Sequence, residues 1–265
     1  MAVSTLKRCC ALGLALAAAA ALCSCGGRYP VPDRPTVESS ERQFTAPAEG
    51  DTIAIFTTSL GEVRAVLYPD AAPMAVYNFA GLARSGYYDD TVIWRSQYGF
   101  AVQGGDAEGT GTGGATIYNN NPIPLEADAS LRHYAGALCL ATVAGDANSG
   151  GSQFYFVTAL PDSVDEEMQS QLSANGYTAE QVSAYAEAGG LPYLDNTDTV
   201  FGQVYQGMAV VDRMACVDTV QNEDGTDSYR PTEEDTITIE RVTIAQYPGP
   251  TAEEIAASAE SAAAE

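Results

Sequence analysis

Ile93-Trp94-Arg95-Ser96-Gln97-Tyr98-Gly99-Phe100-Ala101-Val102-Gln103-Gly104-Gly105-Asp106 runs from β-prone residues into a glycine turn. Residues 92–102 read as a strand, and 104–124, rich in Gly and Asn, as a loop. Outward from it, Thr52–Thr58 and residues 62–68 flank Ser59-Leu60-Gly61, a hairpin signal. Pro73 opens a helix with Val76, Phe79, Ala80 and Ala83 at helical spacing, and Gly86 ends it. Residues 137–142, 153–158, 199–204 and 236–244 read as further short strands, and 208–214 as a helix. The pattern is mainly β. It predicts a closed antiparallel barrel of about eight strands capped by two helices.

Two segments stand outside that pattern. Residues 161–190 hold six acids and no base. Thr178 with Gln181 forms a capping-box pattern and Gly189-Gly190 a stop, so two short helices are inserted here. Residues 218–235 read as an acidic loop.

The ends carry an address and a spacer. Lys7 and Arg8 precede an apolar run of 14 residues, 9–22, too short to span a bilayer. The run ends in Leu22-Cys23-Ser24-Cys25, which resembles a bacterial lipobox. Residues 1–24 are then a lipoprotein signal peptide and Cys25 is the diacylated residue. Two acyl chains suffice for stable anchoring, so the expected location is the extracytoplasmic face of a bacterial cell membrane. Residues 25–50, with four prolines from 26 onward, read as a flexible tether. As a coil it would lift the domain, residues 51–247, by about 25–30 Å. Residues 248–265 form an acidic Ala/Glu tail.

Charge excludes several functions. The chain has 12 Lys+Arg against 35 Asp+Glu, a formal net charge of −23. Signal cleavage removes Lys7 and Arg8, the only lysine among them, and makes it −25. Nucleic-acid binding needs clustered bases, and a P-loop needs a lysine. Cys139 and Cys216 sit in apolar surroundings and read as buried hydrophobes. His133, the single histidine, reads as structural. A zinc site lacks ligands. Residues 109–114 satisfy G-x-G-x-x-G, yet no helix follows, so no dinucleotide site is expected. Residues 222–227 lack the spacing of a calcium loop and read as a solvated turn. Gly150-Gly151-Ser152-Gln153-Phe154 fails as a nucleophile elbow, because Phe154 stands where Gly is needed.

The opening stretch resembles the signature of the cyclophilin-type peptidyl-prolyl isomerases, in which Phe-His-Arg leads to Gly-Phe-x-x-Gln-Gly-Gly-Asp. Further blocks match in order: Thr110-Gly111-Thr112-Gly113-Gly114, Gly151-Ser152-Gln153-Phe154-Tyr155, Leu194-Asp195 and Val200-Phe201-Gly202-Gln203-Val204. Asn78-Phe79 and Gly207-Met208 also fit. With the anchor and the inserted helices, the chain is similar to lipoprotein cyclophilins of Gram-positive bacteria.

The resemblance implies isomerisation of X–Pro bonds in proline-containing polypeptides folding outside the membrane, by a monomer without cofactor or metal. An X–Pro bond turns over in tens of seconds across a barrier of roughly 20 kcal/mol. An ordinary turnover of about 10–10³ s⁻¹ needs some 4–7 kcal/mol off it. No bond to a heavy atom is made. The twisted transition state localises a lone pair on the prolyl nitrogen and frees the carbonyl from resonance, so a fixed cationic donor favours it over the planar amide. Arg95 takes that role by resemblance. Gln103 would hold the carbonyl or orient Arg95. Phe100, Tyr155 and Leu194 would seat the proline ring. Gln153 and the backbone near Thr142 would position the peptide. Trp94, Ala101, Thr142, Tyr155, Tyr193 and Asp198 stand where the family has His, Met, Asn, Phe, Trp and His. The Tyr at 193 implies weakened cyclosporin sensitivity. Two alternatives remain open: a catalytically weak proline-binding chaperone module, and a surface lipoprotein with a structural or adhesive role. Arg95, Phe100 and Gln103 together favour the enzyme over the latter.

Overall fold

Short runs of apolar residues, several buried on both faces, write the sheet, and two proline- or glycine-started helices cap it. The computed structural model describes residues 29–251. Strands β1 (Thr52–Thr58) and β2 (Gly61–Leu67) form the expected hairpin, turned at Gly61 with φ +131°. Helix α1 (Pro73–Arg84) starts on its proline, and the Glu126 carboxylate accepts from the free Met74 and Ala75 N–H groups at 3.0 and 2.9 Å. Then follow β3 (Thr91–Ile93), β4 (Arg95–Gln97), β5 (Ala101–Gly104), β6 (Ala137–Leu140) and β7 (Phe154–Val157). Helices α2 (Glu166–Ala174) and α3 (Ala179–Ala188) are the inserted pair, and α3 has the expected Thr178–Gln181 capping box. Strand β8 (Thr199–Gln206), helix α4 (Met208–Ala215), the hairpin β9 (Thr219–Gln221) and β10 (Asp227–Pro231), and β11 (Ile237–Gln246) complete the order.

Nine strands make one sheet in the order β3-β11-β1-β2-β8-β6-β7-β5-β4, with every assigned pairing antiparallel. Its edge strands β3 and β4 are separated by Trp94 alone, so the sheet wraps into a nearly closed barrel. The lumen is packed with Phe56, Leu138, Phe154, Phe156 and Phe201, and Phe56 meets Phe156 edge-on with centroids 5.1 Å apart.

Three expectations change. The strand read over 92–102 is three strands, because this stretch seams the barrel at Trp94 and turns at Gly99, φ +69°. Residues 218–235 are a β-hairpin rather than a loop; its pairs, Asp227 with Gln221 and Pro231 with Thr219, are too short to show alternation.

The third change concerns the tether. Residues 29–50 lie against the barrel as a strap. Arg34 donates to both oxygens of buried Asp212 at 2.8 Å and to the carbonyls of Thr158, Ala159 and Ala188 at 2.9, 3.0 and 3.3 Å. Gln43 is buried: its amide donates to Arg132 O and Gln203 Oε1 and accepts from Arg132 N–H. Tyr29 stacks on Tyr98 with centroids 4.3 Å apart. Single polar side chains hold the strap, so no hydrophobic period announces it. Arg34→Ala leaves Asp212 charged and buried and is expected to lower unfolding free energy by about 3 kcal/mol, read by urea denaturation.

Cys139 and Cys216 are buried, as read from the sequence, and the structure shows both free. No helix of the described residues is long and apolar enough to cross a membrane. Cys25, the signal segment and residues 252–265 lie outside the described residues.

Candidate active site

Register places the central residues in a row. Arg95 on β4 pairs with Gln103 on β5, which pairs with Tyr155 on β7. Beside the row, Ala101, Cys139, Tyr155 and Val200 form an apolar cluster outside the lumen, and half-buried Phe100 and Leu194 pack against it. The three residues expected to seat the proline ring are therefore together. A groove of about 680 Å³ runs past Trp94, Arg95, Gln103, Thr142 and Gln153.

Arg95 is half-buried, and among the described residues it has no carboxylate partner. Its Nη2 donates to Gln97 Oε1. Its guanidinium lies 5.1 Å from the Phe100 centroid and 5.8 Å from that of Tyr229. Burial lowers its pKa from the ordinary value, and Tyr229 and Tyr193 act against that. The group stays charged at any physiological pH. It is a cation whose charge no neighbour neutralises.

The Gln103 amide turns to Gln153 rather than to the Arg95 guanidinium, although the two residues face each other across the strands. It donates to Gln153 Oε1 at 3.0 Å, and Trp94 Nε1 donates to the same oxygen at 3.1 Å. Gln153 Nε2 donates to Gly111 O and Gly113 O at 3.1 and 2.7 Å. The polar capacity of Gln153 is thus engaged within the protein, where the sequence reading had it free for peptide. Orientation of Arg95 falls to Gln97, which sequence reasoning missed although strand alternation places it on the same face. Tyr229 was missed too; only the hairpin's fold brings it to Arg95, and no local signal announces it.

Asp106 builds the glycine loop. Its carboxylate accepts from the N–H groups of Glu108, Thr110, Gly111 and Gly113 and from the Thr110 hydroxyl, at 2.7–3.1 Å. Burial alone would raise its pKa; these donors more than offset it, and the carboxyl sits below its ordinary value. A Cβ on Gly113 would lie 2.1 Å from Asp106 Oδ1, so the loop needs glycine there.

Three departures from the family pattern meet. The Tyr155 hydroxyl donates to Asp198 Oδ2 at 2.8 Å, and Thr142 Oγ1 approaches Asp198 Oδ1 at 3.4 Å. Burial, then Cys139 and Asp198, push the Tyr155 phenol well above its ordinary pKa, so it donates. Tyr155→Phe is expected to cost about 1 kcal/mol of stability and to leave Asp198 without this donor, checked by thermal denaturation. Tyr193 is 60% exposed at the rim, and Ala101 is buried. His133 Nδ1 lies 2.8 Å from Asp195 Oδ1, and the Tyr177 and Tyr185 hydroxyls donate to Asp195 Oδ2. His133 is structural, tying the inserted helices to the barrel.

The barrel thus carries, side by side, an outer apolar cluster, a groove of about 680 Å³ and an arginine with no carboxylate partner among the described residues. The family model described as cyclophilin type peptidyl-prolyl cis-trans isomerase/CLD matches residues 52–244. The chain belongs to this family of peptidyl-prolyl cis-trans isomerases. A "Putative peptidyl-prolyl cis-trans isomerase" of Staphylococcus saprophyticus is 40% identical over 161 residues, which are 61% of this chain and 79% of that one. A "Putative bifunctional phosphatase/peptidyl-prolyl cis-trans isomerase" of Streptococcus pyogenes is 41% identical over 164 residues, and the match spans 34% of its length. The crystal structure of a cyclophilin type isomerase of Cryptosporidium parvum superposes with a TM-score of 0.56 at 25% identity, covering 75% of this chain and 99% of that chain.

Proposed function

We propose that this isomerase acts on X–Pro bonds of proteins folding outside the cytoplasmic membrane, held there by lipid on Cys25, and that Arg95 stabilises the twisted amide. The observation that carries the mechanism is an arginine oriented by Gln97, with no ion-pair partner among the described residues, on the groove wall beside the Phe100–Tyr155–Leu194 seat. The seat takes the proline ring, so the amide carbonyl and nitrogen lie against the guanidinium. As the amide twists, charge shifts toward groups that a fixed cation favours more than it favours the planar state. Gln103, held by Gln153, presents a preset polar edge at no reorganisation cost. A groove lined by the backbone around Thr142 accepts the flanking residues in extended form.

The test is a proline-isomerisation assay on an X–Pro peptide. Catalysed relaxation well above the uncatalysed rate is expected. Binding without acceleration would leave the chaperone module in its place. For the anchor, Cys25→Ser is expected to move the protein from the membrane to the soluble fraction on sedimentation; continued membrane association would refute the lipid.

A further inference from the structure

The strap changes what an anchor at Cys25 would do. Four residues of chain lead from Cys25 to Tyr29, a reach of at most about 14 Å when fully extended. A free coil of the whole 26–50 segment would instead give about 25–30 Å of loose leash. Tyr29 lies beside the turn between β4 and β5. It stacks on Tyr98, and with Gln97, Tyr98 and Tyr229 it lines a hollow of about 180 Å³. Gln97 and Tyr229 are the two residues that reach from this hollow to the Arg95 guanidinium. The point where the strap begins is thus one side chain removed from the groove. Behind it, Arg34 and Gln43 lock the strap with eight hydrogen bonds.

We propose that the docked strap seats the Arg95 groove beside the lipid surface, so that its substrates are X–Pro bonds in stretches of polypeptide lying along the membrane. The proposal rests on the reading of Cys25 as lipidated. Reach gives the strap work to do. On a loose leash the domain would sample distances of about 25–30 Å from the lipid; a strap fixed by a buried ion pair holds it in place.

Trp94, the single tryptophan, lines the groove next to Arg95 and serves as a built-in probe. The mature chain from Cys25 onward is joined through that thiol to maleimide lipid in phosphatidylcholine vesicles bearing dansyl headgroups. Cys139 and Cys216 are buried. Energy transfer from Trp94 to dansyl is read in three chains: the native sequence, one with 20 Gly/Ser residues inserted between Gly27 and Arg28, and Arg34→Ala. Strong transfer is expected in the native chain. The insert adds a root-mean-square reach of about 25 Å and leaves the docking intact, so most of the transfer is lost. Arg34→Ala, which frees the strap, loses it as well. Transfer in the native chain as weak as with the insert, or full transfer retained in either altered chain, overturns the proposal. Because the lipid is supplied chemically, this result judges the strap alone, while the Cys25→Ser fractionation judges the anchor.

Discussion

Arg95→Ala is expected to lower kcat/KM for an X–Pro peptide by about 100-fold, with most of the loss in kcat. The size follows from what the residue does. Removing one preorganised donor to a charge that develops only in the transition state costs roughly 10²–10³ in rate elsewhere. Here the donor is a full cation with no carboxylate partner among the described residues, so its field is not spent on a neighbour. The seat formed by Phe100, Tyr155 and Leu194 belongs to an apolar cluster that does not need Arg95. Ground-state binding should therefore survive, and KM should move little. Arg95→Lys keeps the charge and loses the planar fork that Gln97 orients, so it should recover only part of the rate. Peptide kinetics on the three proteins check this. A raised KM with kcat unchanged would make Arg95 a binding residue instead.

Asp106→Ala is expected to cost about 3 kcal/mol of stability, together with a fall in activity. One carboxylate serves four backbone N–H groups and a hydroxyl. Without it those donors turn to water or go unpaired, at about 1–3 kcal/mol for each that stays buried. The damage spreads to the groove, because Gly111 and Gly113 also supply the carbonyls that hold Gln153, and Gln153 holds Gln103 and Trp94. The same carboxylate sets an acid limit. Its folded pKa is below its ordinary value, so it stabilises the fold fully above the unfolded value near 3.9. That contribution fades as pH falls through the lower folded value. Urea denaturation across pH 2–7 should show wild-type stability declining below about pH 4, and a shallower decline in Asp106→Ala. Parallel curves would show that Asp106 contributes nothing to the acid limb.

Legibility in the sequence followed the range of the interaction. Pro73 and Gly86 bounded α1 because each acts on its own backbone. The Thr178–Gln181 box marked α3 for the same reason. The ordered motif blocks located Arg95, Gln103, Phe100 and Tyr155, and register then set three of them in a row. What escaped was carried by contacts between distant single residues. Arg34 finds Asp212 across the fold, and nothing in a Pro-rich segment distinguishes a docked strap from a loose one. Tyr229 reaches Arg95 only because a short hairpin folds back. The break of residues 92–102 into three strands comes from closing the barrel at Trp94, a demand of the whole sheet rather than of those residues. Gln153 looked available for substrate, and three-dimensional partners fill it.

Catalysis by Arg95 is tested by two-dimensional exchange NMR on an X–Pro peptide with a small amount of enzyme. Cis–trans exchange cross-peaks are expected with the wild-type chain, and with Arg95→Ala peptide shifts that report binding while the cross-peaks vanish. Absent exchange with the wild type, or undiminished exchange with Arg95→Ala, would contradict it.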